Sequence, residues 1–123
     1  MQWQGSKSAT HPLLGLHQRG TEVKLLTAPP KAQQHLQGYA GSVALSNDGN
    51  LVAITSPRGN VLHVFDTGTG QPSAILSAKD VCGIGPTSDG FVFTTGTGII
   101  GTLQSTTAQH ALQWDNHLIA ITP

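Results

Sequence analysis

The chain repeats itself. Leu45-Ser46-Asn47-Asp48-Gly49-Asn50-Leu51-Val52-Ala53-Ile54-Thr55 returns as Pro86-Thr87-Ser88-Asp89-Gly90-Phe91-Val92-Phe93-Thr94-Thr95, with Ser46 and Thr87 a step of 41 residues apart. A period of roughly 40–45 residues belongs either to helical repeats, which need long amphipathic stretches, or to four-stranded propeller blades. This sequence has almost no amphipathic stretch of that length. It has 15 Gly, 7 Pro and only 10% charged residues, against about 7% Gly and 25% charged residues in an ordinary soluble domain. Such a balance favours short strands joined by tight turns.

Apolar and β-branched runs between turn signals place the strands. In the best-preserved unit they fall at 42–46, 51–56, 61–66 and 73–77, separated by Asn47-Asp48-Gly49-Asn50, Pro57-Arg58-Gly59-Asn60 and Thr67-Gly68-Thr69-Gly70. The next unit has them at 81–84, 91–95, 99–104 and 111–114, and 117–122 begins one further strand. Ahead of both units lie strands at 1–4, 13–17 and 23–27 and a short helix over 30–37, with Pro30 in its first turn and Gly38 just past its end.

The expected fold class is therefore all-β: antiparallel blades of a WD40- or YVTN-like β-propeller, about two and a half to three of them, in an incomplete ring. A single domain spans 1–123, divided into a partial blade (1–37), two complete blades (38–78 and 79–115) and the start of another (116–123). Apolar residues at both phases of 51–54 and 61–65 predict sheets covered on both faces. An incomplete ring predicts either a piece of a longer polypeptide or completion by a protein partner or by self-association.

Charge excludes several functions. Six Lys+Arg balance six Asp+Glu at a pI near 7.0, so no field draws the chain to nucleic acid or anionic lipid. No apolar run approaches the roughly 20 residues of a membrane-spanning helix. Met1-Gln2-Trp3-Gln4-Gly5 does not read as a signal peptide. Cys82 is the single cysteine; without a partner for an internal disulfide, it leaves the redox compartment open.

Five short motifs occur in order: Gln2-Trp3-Gln4-Gly5, Gly38-Tyr39-Ala40-Gly41-Ser42-Val43-Ala44, Thr55-Ser56-Pro57-Arg58-Gly59, Asp80-Val81-Cys82-Gly83 and Trp114-Asp115-Asn116-His117-Leu118. Together they resemble the C-terminal part of a bacterial family of exported propeller-like proteins of unknown function, encoded beside imelysin-type and di-haem thiol-oxidoreductase-like proteins in iron-uptake clusters. The resemblance spans nearly the whole chain. It implies a periplasmic setting and a link to iron acquisition, but no reaction and no catalytic residues. Because the family's members are longer and carry an export signal, the resemblance also implies that this sequence is truncated or begins at a misplaced start.

In an up-and-down blade the loop between the second and third strands and the connection to the next blade emerge at the same end. That end collects His11, Tyr39, Arg58, Asn60, Asp80, Cys82, Trp114, Asp115, Asn116 and His117; loops on a rigid scaffold commonly carry function. A binding site is expected there, at the mouth of the channel. Cys82, His11, His117, Asp80 and Asp115 offer thiolate, imidazole and carboxylate to a transition metal, with Asp80, Cys82 and His117 as the main candidates. The competing structural reading makes Cys82 a small core residue and has the aspartates cap turns.

Cys82 with a histidine base is a conceivable nucleophile, although no spacing selects it, and no serine has the strand-turn-helix setting of a nucleophile elbow. Trp3, Tyr39 and Trp114 offer an aromatic surface, or else pack between blades. Arg58 either clamps an anion or pairs with Asp80 or Asp115. His63 and His17 read as satisfied strand histidines, and His35 and His110 as exposed. The leading function is a non-enzymatic binding scaffold; the alternative is a metal- or cofactor-dependent enzyme at the channel mouth.

Overall fold

The computed structural model describes residues 10–119 and 121. It is all-β: a two-stranded sheet and two four-stranded antiparallel sheets, all open. Strands β1 (Leu14–Leu16) and β2 (Lys24–Leu26) pair with each other and lead into the short helix α1 (Pro30–His35). Strands β3 (Ser42–Leu45), β4 (Leu51–Ser56), β5 (Val61–Asp66) and β6 (Pro72–Ser77) form the first four-stranded sheet in sequence order. Strands β7 (Val81–Thr87), β8 (Gly90–Thr95), β9 (Ile99–Thr102) and β10 (Thr106–Gln109) form the second in the same order. The 41-residue repeat thus corresponds to two successive meanders.

Alternation along β4 and β5 divides the interior into two cores. Val52, Ile54, Val61 and Phe65 face the N-terminal segment, packing with Leu13, Leu26, Ala28, Leu36 and Ala40. Ala53, Leu62 and Val64 face the second sheet and pack with Val81, Ile84, Phe91 and Phe93. Apolar residues at both phases were the sequence signature of this arrangement, and the first sheet is covered on both faces.

The strands alternate direction, so the connections sort to two ends. One end carries 36–41, 57–60, 78–80, 96–98 and the chain after β10; the other carries 46–50, 67–71, 88–89 and 103–105. The second set consists of plain turns. Asp48 accepts from the Ser46 hydroxyl at 2.6 Å and from Asn50 N at 3.0 Å, and Asp66 accepts from Thr69 N at 2.7 Å. Asn47 Nδ2 reaches the Thr87 carbonyl at 3.0 Å and ties the two sheets together at this end.

Three expectations shift. The last strand of the second sheet is Thr106–Gln109 rather than 111–114, because Thr102 N bonds back to Ser105 O at 2.8 Å and turns the chain at once. The helix ends at His35, and the chain leaves it through Gln37 and Gly38, both at positive φ. Residues 117–119 and 121 are not in a strand; Leu118 instead packs down on β7, so closely that a Cβ at Gly83 would stand 3.1 Å from Leu118 Cγ. The strand expected at 1–4 and Trp3 lie outside the described residues.

Candidate functional site

The end bearing 36–41, 57–60, 78–80 and 96–98 holds most of the sequence candidates, in three separate places. In the first, Gly59 lies so close beneath the end of α1 that a Cβ there would overlap the His35 carbonyl oxygen. Ser56 Oγ donates to Leu36 O at 2.8 Å and accepts from Gly59 N at 3.2 Å. This anchors the 57–60 turn under the connection to β3. Arg58 then lies over the Tyr39 ring, its Cζ 4.7 Å from the centroid. The guanidinium expected to pair with Asp80 or Asp115 stacks on an aromatic face instead, an arrangement that fixes an exposed Arg without neutralising it.

The second place is the next connection along. Asn60 and Asp80 both adopt positive φ, and Asp80 N donates to Asn60 Oδ1 at 2.7 Å. The Asp80 carboxylate sits against Gly96, where an added Cβ would overlap it, and Gly96 N donates to Asp80 O at 2.9 Å. Asp80 therefore shapes a turn.

In the third, β7 carries an extra residue between Val81 and Ile84 relative to β8. Such a bulge releases backbone groups from the ladder and re-aims side chains. The Cys82 carbonyl accepts a 2.6 Å hydrogen bond from Thr55 Oγ1 in β4. Its thiol, buried, points the other way, 3.5 Å from the carbonyl oxygens of both Trp114 and Asp115 and 3.6 Å from that of Thr94. Asp115 Oδ1 accepts from Asn116 N at 2.6 Å. Trp114 stacks edge-on against His110 with centroids 5.7 Å apart, and its indole N–H is buried without a partner.

His117, exposed, lines a largely apolar cleft of about 360 Å³ formed with Leu13, Gly15, Ala40, Val43 and Ile54. The His11 carbonyl is held by Gln33 Nε2 at 2.8 Å. Among the described residues, no group of three or more His, Cys, Asp or Glu side chains is placed to hold a metal ion. Asp80, Cys82 and His117 are each engaged in a different local structure.

Sequence reasoning missed His63. It is fully buried in β5, yet neither ring nitrogen has a hydrogen-bond partner, so it is not the satisfied strand histidine expected. Burial, reinforced by the charge of His35, lowers its pKa from 6.5 to about 4. It also missed the Thr55 hydroxyl, for which a threonine in an apolar strand gives no local signal.

Antiparallel meanders packed on one another, with plain turns at one end and the Arg58–Tyr39 stack and an apolar cleft at the other, define an all-β framework. Residues 1–121 match the family model described as protein of unknown function (DUF1513), and the chain belongs to that family. No curated protein matches the chain. No helix among the described residues is long and apolar enough to cross a membrane.

Proposed function

We propose that the chain is a set of β-propeller blades acting as a non-enzymatic binding scaffold of the cell envelope, in the service of iron acquisition. The two meanders with their shared core are the stacking unit of such a ring, with 38–78 and 79–115 as blades, 1–37 as part of the preceding one and 116–123 as the start of the next. The envelope setting and the iron link rest on the resemblance of the five motifs alone.

The observation that carries the binding role is the Arg58–Tyr39 stack. An exposed guanidinium held by an aromatic ring gives up little freedom when it meets a partner, and Arg and Tyr dominate the energetics of protein interfaces. The apolar cleft beside His117 adds a second contact at the same end. The enzyme reading requires Asp80, Cys82 and His117 to converge. The Cys82 thiol faces main-chain carbonyls instead.

The test compares the wild type with Arg58→Ala and Cys82→Ala, using capture of partners from a cell-envelope extract and titration with Fe(II) and Zn(II). The scaffold reading expects a captured partner that Arg58→Ala loses and Cys82→Ala keeps. Stoichiometric metal binding that Cys82→Ala or His117→Ala abolishes overturns it in favour of the enzyme.

A further inference from the structure

His63 occupies the middle of the first sheet's third strand. Its neighbours Leu62 and Val64 belong to the core shared with the second sheet, while Val61 and Phe65 face the N-terminal segment. Alternation places the His63 ring with the latter pair, under residues 10–41, and its centroid lies 6.2 Å from that of Phe65. The ring is fully buried and both nitrogens are unpartnered. Across the ladder its partners are Ile54 and Ile75. An apolar side chain would meet the packing demands of this position, so the imidazole adds only the capacity to take a proton.

The surrounding elements offer nothing to stabilise that proton. Strands β4 and β6 carry no charged residue, and Asp66 lies at the far end of β5. On the covering side His11, His17, Arg19, Lys24, Lys31 and His35, with Arg58 of the 57–60 turn, are basic, and the one acid, Glu22, is exposed in the connection between β1 and β2. His35 is the group whose charge is felt at His63, and it is of the repelling sign.

The cover is separable from the sheet. Among the described residues β1 and β2 pair only with each other. Besides apolar contact, the ties between cover and sheet include the Arg58–Tyr39 stack and the hydrogen bonds of Ser56 Oγ to Leu36 O at 2.8 Å, Gly41 N to Thr55 O at 2.8 Å and Lys24 Nζ to Gly68 O at 3.0 Å. Lifting it breaks none of the ladders of β3 to β10, which is the condition for a local opening.

We propose that His63 makes the segment 10–41 an acid-released flap: the imidazole takes its proton when the segment lifts and water reaches the ring, so acidification favours the lifted state while both four-stranded sheets stay folded. Tyr39 belongs to this segment, so lifting it also parts the Arg58–Tyr39 stack; the flap is argued from His63 and its cover and does not require the binding role proposed above. With the closed-state pKa at about 4 and the open state at the ordinary 6.5, linkage gives a rise in the open population of roughly 30-fold between pH 7.5 and pH 5.

Hydrogen exchange resolved by residue tests this. Protection factors of the α1 and β1–β2 amides are expected to fall ~30-fold between those pH values, with β8 and β9 unchanged, and the fall should vanish in His63→Leu. An equal fall in His63→Leu, or one shared by β8 and β9, overturns the proposal. Should His63→Leu not fold, the wild type decides: protection of α1 and β1–β2 that falls about tenfold per pH unit below 6.5 and levels off near 4, with β8 and β9 unchanged, supports the flap, and protection independent of pH overturns it.

Discussion

Thr55 Oγ1 donates a 2.6 Å hydrogen bond to the Cys82 carbonyl while accepting one from Ser42 N at 3.1 Å, so a single buried hydroxyl joins β3 and β4 of the first sheet to β7 of the second. The Cys82 carbonyl is available because the bulge in β7 takes it out of the ladder, and a buried carbonyl must find a donor somewhere. Replacing Thr55 with Val keeps the shape and leaves two buried main-chain groups unpaired, at about 1–3 kcal/mol each. Urea unfolding of Thr55→Val should therefore show a loss of about 2–4 kcal/mol, with Thr55→Ser recovering most of it. A loss below about 0.5 kcal/mol would mean that the hydroxyl is not what joins the sheets.

Gly59 is required for space, since a Cβ there would enter the His35 carbonyl. Relieving that overlap pushes α1 away from the 57–60 turn and stretches the Ser56 bond to Leu36. Gly59→Ala should cost about 1–3 kcal/mol, the usual range for overpacking, and should raise amide exchange in α1 more than in β8. Equal effects in both places would show that the turn supports the whole fold rather than the seat of the helix.

Much of this was legible in the sequence for one physical reason: buried strands with tight turns leave periodic marks. The runs 51–56 and 61–66 are β4 and β5 to the residue. β10 left no such mark, because a short edge strand of Thr106, Ala108 and Gln109 has no apolar alternation, whereas Ala111, Leu112 and Trp114 just beyond it do. The candidate site was legible only as a collection of residues at one end. That Arg58 would choose Tyr39 over Asp80, or that a bulge would turn the Cys82 thiol toward the Trp114 and Asp115 carbonyls, depends on contacts between distant segments that no local pattern encodes.

Acid should weaken the fold in two separate windows. His63 has a folded-state pKa of about 4 against 6.5 when exposed, so the unfolded chain takes up the proton first. Its contribution is complete above pH 6.5, declines as the pH falls toward 4 and is level below, a drop of about 3 kcal/mol at 1.36 kcal/mol per unit. Asp48, through the Ser46 hydroxyl and Asn50, and Asp66, through the Thr69 amide and hydroxyl, are shifted below the ordinary 3.8. Their contribution is present above that value and is lost as the pH falls through their own lower pKa values. Urea denaturation from pH 3 to 8 should show both windows in the wild type, while His63→Leu should lose only the upper one. An unaltered upper window in that variant would assign it to another group.

The Cys82 thiol should respond to the chain that crosses it. Buried and flanked by the Trp114 and Asp115 carbonyls, it is shielded by residues 114–118, whose Leu118 is seated over Gly83 and Gly85. A thiol so placed reacts only when its cover opens, and the open fraction sets the rate. Modification by a disulfide reagent at pH 8 should run at least ~100-fold slower in the native protein than in urea, matching an opening free energy of about 2.7 kcal/mol or more. Leu118→Ala should accelerate it about tenfold, through the loss of roughly 1–2 kcal/mol of packing that holds the crossing segment down, with little change in the urea midpoint. If Leu118→Ala leaves the rate unchanged while Thr55→Val accelerates it, the thiol is guarded by the joint between the sheets rather than by the segment crossing β7.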